Sequence, residues 1–176
     1  MKPAYRLGVQ ATFERAFGPP LHPVRSVVGL GAWLLLTFGV ALAASLAAPG
    51  EWYAALRKPA WTPPNWLFGP VWTVLYTLMA LAAWLVWQHG GLFRQALPLG
   101  AYAVQLALNG LWSWIFFGWR APGWAFAEIL LLAVAIGVTL RLFARVSRPA
   151  AWLLAPYLGW VLFAAALNFS LWRLNA

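Results

Sequence analysis

The chain of 176 residues contains no cysteine and only three acidic residues, Glu14, Glu51 and Glu128. Without cysteine there is no disulfide framework and no thiolate chemistry. The two histidines, His22 and His89, fall outside the stretches predicted below to span the membrane, so neither metal-ligand clusters nor nucleophile–base pairs have an evident source. No phosphate-binding glycine loop is present. An ion channel would need rings of carbonyls or charges, and no such pattern is visible. Charge of either sign is scarce, at 9% of residues, where a soluble domain carries about 25%.

What is present is apolar. Hydrophobic residues make up 64% of the chain and the mean hydropathy is +0.74. Residues 26–50, 59–93, 95–119, 129–140 and 149–172 contain no Asp, Glu, Lys or Arg. A membrane-spanning helix needs about 20 mostly apolar residues. The pattern therefore predicts an all-α membrane protein, a bundle of five transmembrane helices at about 27–48, 70–88, 97–117, 122–143 and 151–172. Residues 1–26, with Pro3, Pro19, Pro20 and Pro23 and no apolar periodicity, are expected to be a loosely ordered extension before a domain at 27–176. The first helix carries signal-like features, a preceding Arg25 and "AASLAA" at 43–48, but its length favours retention in the membrane.

The twelve cations sit mostly singly at predicted helix ends, where long side chains anchor at the interface. This excludes the basic stripe that nucleic-acid binding would require. With five helices, Lys2, Arg6, Arg15, Arg25, Arg94, Arg141, Arg145 and Arg148 share the N-terminal side. Arg57, Lys58, Arg120 and Arg173 take the other. Eight against four predicts a cytoplasmic N-terminus in a bacterial cell membrane.

Three of the helix connections are short, but the one at 49–69 is not, and long irregular connections tend to be lids or binding loops. Its stretch "KPAWTPPNWLFGPVW" (58–72) is dense in proline and tryptophan. Among the 14 tryptophans, Trp33, Trp84, Trp87, Trp119, Trp124 and Trp152 fit an aromatic belt at the membrane interfaces. Trp72, Trp112 and Trp160 lie deeper, beside polar residues. At 100° per residue, Gln105, Asn109, Trp112 and Phe116 fall within about 40° of one direction on the third helix. Ala103, Ala107 and Gly110 cluster on the opposite face, suited to close packing against a helix or a second subunit. Trp72, Tyr76 and Met79 share a face of the second helix, and Trp160, Ala164 and Asn168 a face of the fifth. Amides inside a bilayer should face the interior. Gln105 and Asn109 either bond neighbouring helices or line a pocket. Three indole-bearing stripes converging in this way describe a space suited to a planar hydrophobic ligand. Glu128, the one acid inside a span, reads either as a proton or cation site or as a group satisfied near the interface by water or Arg120, the second being favoured.

The segments "EWYAALRKPAWTPPNWLFGPVWTVLYTLM" (51–79), "AVQLALNGLWSWIFFG" (103–118) and "PYLGWVLFAAALNFSLWRLN" (156–175) resemble the TspO/MBR family of translocator proteins, over about residues 27–175. The resemblance implies a five-helix bundle, a homodimer, and a long first loop closing over a cavity as a lid. It also implies binding of porphyrins such as protoporphyrin IX or haem, of sterols, and of synthetic isoquinolines or benzodiazepines. Carried over by motif, the site uses Trp72, Asn109, Trp112, Trp160 and Ala164, with Trp61 and Trp66 from the loop. Tyr76, Phe116 and Asn168 complete the candidate set from their helix faces. The family's terminal sterol stretch has tyrosine where this chain has Phe169, so tetrapyrroles are the expected ligands, with no obligatory cofactor. The alternatives are a porphyrin-degrading enzyme driven by light and oxygen through the pocket tryptophans, and a small-molecule transporter. A binder with no catalytic residues is the favoured expectation, with lipid and a second copy of the chain as its other partners.

Overall fold

The computed structural model describes residues 23–47 and 49–176, and the expected loosely ordered segment at 1–22 lies outside them. The chain is an all-α integral membrane protein, and its described residues form five long helices. These are α1 (Pro23–Ser45), α3 (Asn65–Trp87), α5 (Ala96–Ser113), α6 (Pro122–Val146) and α7 (Arg148–Leu174). Two short helices lie in connections, α2 (Glu51–Ala55) and α4 (Gly91–Arg94). Helices α1, α3, α6 and α7 are long and apolar enough to cross a membrane. The candidate third span, α5, has 18 residues and carries Gln105 and Asn109, which lower its hydropathy.

Several boundaries depart from the sequence pattern. Helix α1 begins at Pro23, so residues 23–26 join the helix rather than the extension. Helix α3 begins at Asn65, directly after Pro63 and Pro64, not near 70. Pro70 is held within its second turn, where it removes one backbone donor while leaving later turns intact. Helix α5 ends in a π-helical turn, Trp114–Gly118, closed by Trp119 N–H bonding to the Trp114 carbonyl at 2.8 Å. The reversal into α6 is so tight that Arg120 adopts a left-handed conformation (φ 54°), which L-residues rarely enter. Helices α6 and α7 are separated by Ser147 alone, whose hydroxyl accepts from Ala150 N–H and caps α7.

The long helices close into a ring in the order α1, α3, α7, α6, α5 and back to α1. The half containing the α4 connection is solid. There Tyr102 stacks on Phe143 with centroids 6.1 Å apart, shares a 2.7 Å hydrogen bond with Thr37, and meets the edge of Trp33. Met79, Val86, Ile136, Leu154 and Tyr157 fill the space around them. At the same end Trp84 Nε1 donates to the Ser26 carbonyl (2.9 Å), and the Trp87 ring occupies the room left by Gly29. Trp84 and Trp87 thus dock helices as well as marking the end of α3, while Trp33, expected at a helix end, lies in the middle of α1. Trp119, Trp124 and Trp152 remain exposed, as belt residues should. Gly110, on the small-residue face expected to pack against a helix or a second subunit, receives Val40 of α1, whose methyl lies 3.0 Å from where a Cβ would stand; Ala103 and Ala107 stay exposed.

Candidate functional site

The other half of the bundle is hollow. A cavity of about 620 Å³, within the range of small-molecule sites, lies between the helices on the side of the 49–64 connection. Helix α3 supplies Phe68, Trp72 and Tyr76 to its wall. Helix α5 supplies Asn109 and Trp112, continued by Phe116 and Phe117 in the π-helical turn. Helix α7 supplies Trp160, Ala164 and Asn168. Eight of the ten residues singled out in the sequence, all except Trp61 and Trp66, therefore surround one space.

Hydrogen bonds fix its polar groups. Tyr76 Oη donates to Asn109 Oδ1 at 2.6 Å, joining α3 to α5. Trp112 Nε1 donates to Asn168 Oδ1 at 3.1 Å, and Asn168 Nδ2 donates to the Pro122 carbonyl at 2.8 Å, joining α5, α6 and α7. Both amides thus bond neighbouring helices and line the cavity, so the two readings of Asn109 hold together. Aromatic contacts fix the walls. Trp72 lies 5.4 Å from Tyr76, Trp112 stacks on Phe116 at 5.1 Å, and Phe68 meets the edge of Trp160 at 5.9 Å.

Trp61 and Trp66 sit elsewhere. Trp61 packs edge-on against Phe163, which contacts Trp160, so it backs the wall from outside α7. Trp66 is 73% exposed. The residues of the 49–64 connection that reach the cavity are Pro49 and Tyr53, the latter from the short helix α2. Its ring meets Phe116 and Phe117 at 6.2 and 5.4 Å, while neighbouring Trp52 meets Phe116 at 5.8 Å. Burial pushes the Tyr53 phenol above its ordinary pKa. The loop is tied down at its centre. Arg57 N–H donates to Asn175 Oδ1 (2.9 Å), and Asn175 Nδ2 donates to the carbonyls of Arg57 (3.0 Å) and Leu171 (2.8 Å).

Sequence reasoning missed Tyr53 and the α1 wall, where Phe38, Ala41 and Ala44 contribute. It also missed Phe68, although Phe68 stands four residues before Trp72 and the helical spacing could have found it. Two deeper polar groups are placed otherwise than expected. Glu128 is 8% exposed with both carboxyl oxygens unpartnered, so Arg120 does not satisfy it. Gln105, 1% exposed, shares the face of Asn109 but lies outside the cavity wall with its amide unpartnered.

The TspO/MBR family model matches residues 31–173. The chain is 48% identical to the Translocator protein of Ovis aries over 127 residues, covering 71% of this chain and 75% of that protein. It is 43% identical to the Tryptophan-rich protein TspO of Chlorobaculum tepidum over 150 residues, covering 81% and 95%. Identity to the Tryptophan-rich sensory protein of Cereibacter sphaeroides is 41% over 147 residues, covering 81% and 91%.

Proposed function

The chain belongs to the TspO/MBR family, and on that footing we propose that it is a membrane sensor or carrier that binds a porphyrin or similar flat hydrophobic molecule in the cavity between its helices. The observation that carries this reading is the wall itself. Trp72, Trp112 and Trp160 come from three helices to one apolar space, and its amides are already bonded to neighbouring helices. Such a wall offers large aromatic faces at little conformational cost, and orientation through few polar atoms. Binding in the dark by protoporphyrin IX should quench tryptophan fluorescence saturably, with one ligand per chain. A quench that rises linearly without saturation would defeat the reading.

A light-driven degradation is the second reading, supported by one contact pair. Trp72 lies within 5.4 Å of Tyr76 and 6.4 Å of Tyr157, so oxidisable rings adjoin the cavity. Illuminating the complex in air and following absorbance distinguishes the two. A new product that disappears in Trp72→Phe would favour the enzyme, and an unchanged porphyrin spectrum the binder.

A further inference from the structure

Among the described residues, none lining the cavity is acidic, basic or histidine. An ionised group carried deep into it would lose water and gain no counterion, which is strongly unfavourable. A flat ligand bearing an acid must therefore enter body first and leave its carboxylate at the loop end. That end is bounded by Pro49, Tyr53 and Asn65.

Lys58 stands there. Its ammonium lies 4.8 Å from the centroid of the Tyr53 ring, and it donates to the carbonyls of Ala54 (3.0 Å) and Leu56 (3.2 Å). An ammonium has three donors, so one is left for a further acceptor. Lysine ordinarily loses much rotamer freedom when it fixes a ligand. Here the half-buried side chain is already held by the backbone of α2 and the residue after it. Among the described residues no carboxylate pairs with it; Glu51, the one acid in the loop, is exposed. Arg57, Arg120 and Arg173 lie at the same end of the bundle, all exposed, and add to a cationic rim.

We propose that Lys58 recognises the acid of the ligand, so that the site selects flat apolar molecules with a carboxylate at one edge over their uncharged counterparts. The inference rests on the cavity being a tetrapyrrole site. A carboxylate completing the third donor forms a charge-assisted hydrogen bond at a partly desolvated position, where such bonds are strongest. The selectivity is a property of Lys58 and not of the aromatic wall.

The test compares protoporphyrin IX with its dimethyl ester on the full-length protein in nanodiscs, by dark tryptophan quenching. The wild type should bind the diacid about tenfold more tightly than the diester, the effect of one charge-assisted bond. Lys58→Met should lose that preference while retaining diester affinity, and Lys58→Arg should keep most of it. Equal affinity of the wild type for both ligands overturns the inference while leaving the cavity reading intact. So does an equal loss of both ligands in Lys58→Met, because Lys58 would then be acting on the loop fold alone. Saturable binding of neither ligand to the wild type overturns the cavity reading, and this inference with it.

Discussion

Replacing Asn168 by leucine isolates the bond that holds three helices around the cavity. Asn168 is 1% exposed, and leucine has the same branched arrangement of four side-chain heavy atoms, so the substitution changes hydrogen bonding more than shape. Two bonds disappear. The Pro122 carbonyl belongs to the first residue of α6 and keeps a helical acceptor role, so its loss is small. The half-buried Trp112 indole N–H is left without its acceptor, and stranding a donor shielded from water costs about 1–3 kcal/mol. Interhelical hydrogen bonds in membrane proteins average only about 0.6 kcal/mol in double-mutant cycles, but those cycles subtract the stranding penalty that a single substitution includes. The expected destabilisation is therefore about 2 kcal/mol, roughly 30-fold in the unfolding constant. Reversible unfolding in mixed micelles measures it directly. In a Trp112→Phe background the donor is gone, and Asn168→Leu should then cost less than about 1 kcal/mol. An equal cost in both backgrounds would refute the assignment of Asn168 as the acceptor that fixes the Trp112 wall.

Other consequences follow from individual contacts. Asn175→Ala removes the side chain that bonds Arg57 on both its N–H and its carbonyl, so the loop should open more often. Tryptic cleavage at Arg57 should accelerate about tenfold, as expected for two solvent-exposed bonds of below 1 kcal/mol each; an unchanged rate would mean that the loop is held elsewhere. Glu128→Gln should leave stability within about 0.5 kcal/mol, because the carboxyl has no partner to lose. A loss of about 3–5 kcal/mol in the same unfolding assay would reveal a buried ion pair instead.

The sequence carried much of this arrangement because membrane burial imposes strong patterning. Charge-free runs located the long helices, and the stripe of Gln105, Asn109, Trp112 and Phe116 marked the inward face of α5. Its limits have physical causes. Helix α1 carries a single polar residue in its middle, Thr37, too little to set its phase, and its wall residues Phe38, Ala41 and Ala44 were indistinguishable from lipid-facing ones. Helix α2 has five residues, too few to show a period, so nothing in the sequence marked Tyr53, which lines the cavity beside Phe116 and Phe117. The prolines around Trp61 and Trp66 announced an irregular path without saying which side of the bundle it takes. The path turns Trp61 onto Phe163, so the cover of the cavity falls to Tyr53. The small-residue face of α5 left open whether a helix or a second subunit would pack on it, and at Gly110 it is α1 that approaches, through Val40.

Filling the cavity tests whether it is the ligand site. Ala164 lines the space on α7 between Trp160 and Asn168, and phenylalanine there projects a ring into it. Ala164→Phe should unfold at the same point as the wild type, since it enters an open volume and not a packed core, and its dark titration with protoporphyrin IX should lose saturable quenching. Wild-type affinity in the folded variant would contradict the account, because the ligand would then be binding outside the cavity.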